Sequence, residues 1–146
     1  MDSAVSIASH FLPKGSVIVS EEYNNKKENL VHRSSGTNDV PADTKVVILL
    51  DEGSASASEI LAGALKDHGV AKIVGTKSFG KGSVQELIDI DGGSLKMTVA
   101  RWITPNGHWI MGNGIDPDIA VKQPVDAPKG SDAQKDRAIQ LLTSGK

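Results

Sequence analysis

The 146-residue sequence contains no cysteine, which removes a disulfide framework, a thiolate metal site and a cysteine nucleophile together. That absence does not distinguish a reducing from an oxidising compartment. Aromatic residues are scarce: two Trp, one Tyr and two Phe. The core must therefore be built from Val, Ile, Leu and Ala, which suits strands and helices packed in layers. No apolar stretch approaches the eighteen or more residues of a membrane span; the longest runs only from Val46 to Leu50. No basic region followed by an apolar segment opens the sequence, so neither an anchor nor an export signal is expected. An excess of basic charge is also missing, since 16 Lys and Arg face 18 Asp and Glu. Nucleic acid is an unfavourable partner for such a surface.

What is present reads as one α/β or α+β domain over residues 1–146. Val5, Ala8, Phe11 and Leu12 recur at helical spacing directly after Met1 and Asp2. A helix this early gives the impression of a chain cut from a larger protein. Pro13-Lys14-Gly15 ends that helix, Ser16 to Tyr23 alternates as a strand, and the polar turn Asn24-Asn25-Lys26-Lys27 leads to a partner strand at Leu30 to Arg33. The continuous β-branched and apolar run Lys45 to Leu50 is expected to be a central strand buried on both faces. Ala57 to His68 places Ile60, Leu61, Ala64 and Leu65 on one face, with Gly69 at the C-terminal cap. Ala71 to Val74 comes next as a short strand, giving a right-handed βαβ unit with two parallel strands. Val84 to Ile90 and Leu95 to Ile103 form a hairpin through Asp91-Gly92-Gly93-Ser94, and Ala133 to Leu142 is a final amphipathic helix.

Three places could carry chemistry. His10, His32, His68 and His108 lack metal-ligand spacing and are assigned to surface or capping roles, with His68 suited to the helix C-terminal dipole. Gly75, Gly80 and Lys81 nearly complete a G-x-x-x-x-G-K phosphate loop, but Gly82 stands where a magnesium-ligating hydroxyl is needed and the next segment is extended. Nucleotide binding is a minor alternative. The remaining pattern is a serine cluster, Gly53-Ser54-Ala55-Ser56-Ala57-Ser58-Glu59, with a lysine downstream.

A serine hydroxyl attacks well only when a nearby base takes its proton, and a desolvated lysine amine can serve. Lysine ordinarily stays protonated to about pH 10.4, so a base working near pH 7 to 8 requires burial that disfavours the ammonium by about 4 kcal/mol. Ser56 lies where the strand ending at Leu50 leads into a helix N-terminus. There the Ala57 N–H and the positive helix end could stabilise an oxyanion. The same window is also a capping box, with Ser56 as cap and Glu59 reaching back, which by itself needs no chemistry. Lys81, Ser83 and Gln85 would share a face if extended, so Gln85 could orient the Lys81 amine; a solvated loop lysine is the plain alternative.

The segments GSASASEILAGALKDHG and AKIVGTKSFGKGSVQ closely resemble the central block of the C-terminal processing peptidases, or tail-specific proteases. DSAVSIASHFLPKGSVI, ITPNGHWIMGNGIDPDI and DAQKDRAIQLL extend the resemblance over nearly the whole chain. It implies a serine endopeptidase of ClpP-crotonase-like fold that cleaves protein substrates near their C-termini without a metal or cofactor. Ser56 would be nucleophile, Lys81 base, Gln85 the support of that lysine and Ala57 N–H an oxyanion donor. Two departures from the family pattern qualify the expectation: no PDZ domain is present, and the strand with an N-P-G-G-like loop that supplies the second oxyanion donor would precede residue 1. The resemblance therefore implies a weakly active or inactive fragment of an extracytoplasmic parent. A noncatalytic, self-associating interaction module using an exposed strand edge is the competing expectation.

Overall fold

A computed structural model describes residues 1–24 and 27–144. Its element order is α1 (Asp2–Phe11), β1 (Val17–Tyr23), β2 (Leu30–Arg33), β3 (Val46–Leu50), α2 (Ala57–Asp67), β4 (Ala71–Gly75), β5 (Ser83–Ile90), β6 (Gly93–Ile103), β7 (Ile119–Ala120) and α3 (Ala133–Ser144). The expected α/β class is therefore borne out. Of the expected turn at 24–27, Asn25 and Lys26 lie outside the described residues.

Alternating and continuous apolar runs have gone to two different sheets. One is antiparallel, ordered β2-β1-β6-β5; the other is parallel, ordered β3-β4-β7. The expected βαβ unit is β3-α2-β4, with Val46 opposite Ala71 and Leu50 opposite Gly75. Helix α2 packs on α1, β1 and β4, while α3 packs on β3 and β4. Leu12, Ile18, Ile60, Leu65, Ile73 and Ile110 are fully buried between these layers, joined by Trp102. Burying a side chain of that size contributes about 1.5–3 kcal/mol. At the end of α2, Gly69 takes φ +70 and the Val70 N–H returns to Leu65 O at 2.9 Å, the left-handed stop expected of a glycine there.

The position of β3 corrects the sequence expectation. Among the described residues it pairs with β4 alone, so it is an edge strand of the parallel sheet, and Leu49 is 41% exposed. A continuous apolar run reports burial by helices as well as by neighbouring strands, and here α3 provides the cover. Strand β7 is absent from the sequence expectation; two residues carry no period, and Ile119 and Ala120 join the sheet by pairing with Val74 and Gly75.

The β5–β6 ribbon extends beyond the packed layers. Residues 85–98 are exposed throughout, and Ile88 faces Leu95 across the ladder, two positions along from the pair of Glu86 and Met97. Near its root, the Trp102 backbone N–H donates to Gly82 O at 2.8 Å, tying β6 to the segment that carries Lys81. Arg101 stacks over the half-exposed Trp109 ring at 4.0 Å from its centroid.

The histidines are structural ties rather than plain surface groups. His10 Nδ1 meets Asp39 Oδ1 at 2.7 Å, His32 Nε2 meets the buried Glu21 at 2.9 Å, and His68 and His108 bond the carbonyls of Val17 and Gly114 at 2.7 Å. No group of residues suited to holding a metal ion occurs among the described residues. No described helix is long and apolar enough to cross a membrane.

Candidate active site

The chain leaves β3 at Leu50 and reaches α2 through a short loop whose turns are fixed by local hydrogen bonds. Asp51 Oδ1 accepts from Gly53 N–H at 3.0 Å and from Ser54 Oγ at 3.1 Å. Ser56 then caps α2 with φ 58 and ψ −115. These angles are those of the first central position of a type II′ turn, and the Ser58 N–H closes that turn on Ala55 O at 3.2 Å. Glycine is the residue that adopts this conformation without strain; a serine held there stores about 1–3 kcal/mol. The strain places a half-exposed serine at the tip of a helix, beside the first helical N–H, that of Ala57, which has no acceptor within the helix.

Glu59 organises the surroundings of that tip. The Ser56 N–H donates to Glu59 Oε2 at 2.8 Å, which is the capping-box contact expected from the sequence. The same oxygen accepts the Lys81 N–H at 2.9 Å. Its other oxygen accepts Ser78 Oγ and the Gly80 N–H, both at 2.6 Å. The carboxylate is completely buried, so these four donors stand in for the water it has lost. Amides sharing one acceptor must lie within about 6 Å of each other. The residues expected to be nucleophile and base are thus brought onto adjacent backbone.

Further hydrogen bonds fix the lysine segment on both sides. The Phe79 N–H donates to Ser54 O at 2.9 Å, stitching it to the serine loop. On its other side, Gly112 N–H donates to Gly80 O at 3.0 Å, and Ile115 N–H donates to Ser78 Oγ at 2.7 Å. The approach is close enough to require glycine: a Cβ on Gly82 would lie 2.8 Å from Ile110 Cβ and nearer still to Met111 N. The apparent phosphate loop is therefore a clamp between two backbones. It runs into strand β5 and not into a helix, in keeping with its departure from the nucleotide-binding pattern.

The side chains of Lys81 and Gln85 depart from expectation. Lys81 is exposed, and its Nζ has no hydrogen bond or ion pair among the described residues. The desolvation expected around it is not supplied by the described surroundings. Strand β5 starts only at Ser83, so Lys81 lies outside the alternation that was to align it with Gln85. Gln85 is also exposed, pairs across the ladder with Thr98, and makes no hydrogen bond to Lys81.

Sequence reasoning misses the reach of Glu59 and the part played by Ser78. Glu59 is visible as a capping residue, but its contacts with residues 78–81 span about twenty positions and leave no local pattern. Ser78 is buried and serves simultaneously as donor to Glu59 and acceptor from Ile115.

Residues 1–121 match the family model for peptidase family S41. The carboxy-terminal-processing protease of Bartonella bacilliformis is 45% identical over 127 residues, 86% of this chain and 29% of that protein. Among solved structures, the photosystem II D1 C-terminal processing protease superposes with a TM-score of 0.75 at 35% identity, over 83% of this chain and 31% of that one. The chain thus spans under a third of the length of these relatives. With its family model matched over most of its length, this chain belongs to the S41 peptidases.

Proposed function

We propose that the chain is the catalytic core of a serine endopeptidase that cleaves protein substrates near their C-termini, with Ser56 as nucleophile and Lys81 as general base. The observation that carries the reading is the shared buried oxygen of Glu59, which holds the Ser56 and Lys81 amides together beside a strained serine at a helix tip. In the reaction, Lys81 Nζ takes the Ser56 hydroxyl proton as Oγ bonds to the scissile carbonyl carbon. The Ala57 N–H and the α2 N-terminus stabilise the resulting oxyanion. Collapse breaks the C–N bond, and Lys81 returns its proton to the leaving amine. Lys81 next takes a proton from water, whose oxygen attacks the acyl-enzyme; breakage of the ester returns that proton to Ser56 Oγ. Gln85 is the proposed support of that lysine, although the two side chains make no hydrogen bond in the structure.

Two features set the expected rate of the 146-residue chain low. Lys81 is exposed, and one oxyanion donor, Ala57, is identified; a missing donor typically costs about a hundred- to a thousand-fold. The peptidase relatives include a protein named for photosystem II D1 C-terminal processing, and an extracytoplasmic parent with a protein substrate fits this reading. The test is cleavage of an unstructured protein by the purified chain and by Ser56→Ala and Lys81→Ala variants. Slow cleavage lost in both variants supports the assignment; cleavage that survives Ser56→Ala removes it.

A second reading is favoured by the edge position of β3. Its outer side, unpaired among the described residues, offers backbone donors and acceptors to another strand, as a self-associating interaction module would. A concentration-dependent oligomer with no labelling of Ser56 by a serine-reactive probe favours the module, and a labelled monomer favours the peptidase.

A further inference from the structure

Directly opposed residues on an antiparallel ladder share a face, as do residues two apart along each strand. The pairs Ile88–Leu95 and Glu86–Met97, with Ile90 beyond them, therefore put four apolar side chains on one face of the β5–β6 ribbon. Residues 85–98 are exposed throughout, and Ile90 beside the turn is 54% exposed. Asp89 and Asp91 bracket Ile90, and neither carboxylate has an ion pair among the described residues. An apolar strip on a two-stranded ribbon that its own chain leaves in water is a surface suited to a partner.

A groove of about 440 Å³ opens where β3, β4 and β7 begin and α3 ends. Val46, Val47, Val70, Ile119, Leu141 and Leu142 give it apolar walls. Lys45 and Lys72 also line it; both are exposed, and neither ammonium has an ion pair among the described residues. Asp118, the acid in the lining, is already engaged, since its Oδ2 accepts the Ile73 N–H at 2.8 Å and its Oδ1 lies 3.6 Å from Lys66 Nζ. The ribbon is rooted beside the lysine segment, at the Ser56 end of the parallel sheet, whereas the groove is at the opposite end.

We propose that the ribbon tip of one copy of this chain docks in the β3–β4–α3 groove of a second copy, with Ile88 and Ile90 against the apolar walls and Asp89 and Asp91 facing Lys45 and Lys72. Charge selects this occupant: the groove offers two unpaired ammonium groups beside apolar walls, and the tip offers two unpaired carboxylates beside apolar side chains. The surface given differs from the surface taken, so each added copy leaves a ribbon and a groove free, and association continues with concentration instead of stopping at a dimer. A hairpin tip in a groove of this size buries less than the roughly 1,200 Å² at which stable interfaces begin, so the contact is weak. The inference is independent of the chemistry at Ser56. It also differs from a pairing of two β3 edges, which would leave the ribbon out of contact.

The experiment is sedimentation velocity on the 146-residue chain from micromolar to millimolar concentration, with two double variants: Asp89→Lys with Asp91→Lys on the ribbon, and Lys45→Glu with Lys72→Glu in the groove. All four positions are exposed, so the fold tolerates the exchange, and circular dichroism confirms that each variant is folded. The average mass of the unaltered chain is expected to rise with concentration. Each double variant alone should associate at least about ten-fold more weakly, because like charges then meet across the contact. An equimolar mixture of the two should recover association to within a few-fold of the unaltered chain, since each variant supplies the charge that the other has reversed. Misfolding could not produce that recovery. A chain that stays monomeric over the whole range overturns the proposal. So does association that survives the ribbon variant, which would place the contact elsewhere, as at the β3 edge. A mixture that associates no more strongly than its folded components overturns it as well.

Discussion

Glu59 Oε2 accepts the amide protons of Ser56 and Lys81 at 2.8 and 2.9 Å, so one buried oxygen sets the spacing of two segments that lie twenty-five positions apart. Removing it should separate them. Glu59→Ala strands the donors of Ser56, Ser78, Gly80 and Lys81 in a dry site, where each unpaired group costs about 1–3 kcal/mol. A loss of roughly 4 kcal/mol or more in urea unfolding is expected, with Glu59→Gln losing less because one oxygen remains. A change below about 1 kcal/mol in Glu59→Ala would show that the four contacts do not hold the site.

Ser56 presents the reverse case. Its φ of 58 is a conformation that glycine takes freely, so Ser56→Gly should raise the unfolding free energy by about 1 kcal/mol, less the loss of the serine cap. Ser56→Ala keeps the strain and should be less stable than Ser56→Gly. Both should abolish serine-probe labelling. Chemical denaturation of the pair checks the ordering, and an alanine variant more stable than the glycine variant would contradict the strain.

The clamp on the lysine segment predicts an effect out of proportion to one methyl group. Gly82→Ala places Cβ against Met111 N and Ile110 Cβ, backbone and a buried side chain of one neighbouring segment. A destabilisation of about 2–3 kcal/mol is expected from such overpacking, read from the shift in the urea midpoint. Gly92→Ala at the ribbon tip meets no atom within 4 Å and bears only the cost of its positive φ, so it is the comparison that separates crowding from conformation.

The contact between α1 and the loop after β2 is sensitive to acid. His10 bonds Asp39, which holds the Asp39 carboxyl below the usual carboxylate value. A carboxyl depressed in the folded state contributes stability that is present above its unfolded value and lost as pH falls through the folded one. The Asp39 contribution is therefore complete at neutral pH and disappears at strongly acidic pH. His10→Ala should move the Asp39 titration upward, as read from its side-chain carboxyl NMR signal, and should flatten the acid limb of the stability profile.

Much of the local structure is legible in the sequence because its causes are local. The Ser56–Glu59 capping box, the α2 stripe through Ile60 and Leu65, the Gly69 stop and the Asp91-Gly92 hairpin each arise within a few residues. The failures are long-range. The Val46–Leu50 run reads as central, but it has a strand on one side only among the described residues, with α3 as further cover. Residues 119–120 become β7 only because Val74 and Gly75 are there to pair with them. Glu59 can be seen at the helix start, yet its hold on residues 78–81 depends on two loops meeting in space. The lysine side chain has no local signal at all, since the depth of a site belongs to everything around it.

The two tryptophans give the molecule a pair of built-in optical reporters. Trp102 is sealed in the core, whereas Trp109 lies under Arg101 with much of its ring in water. Iodide should quench only the latter's emission, so fluorescence can separate motion near the Met111 loop from global melting in one cuvette, with no label attached.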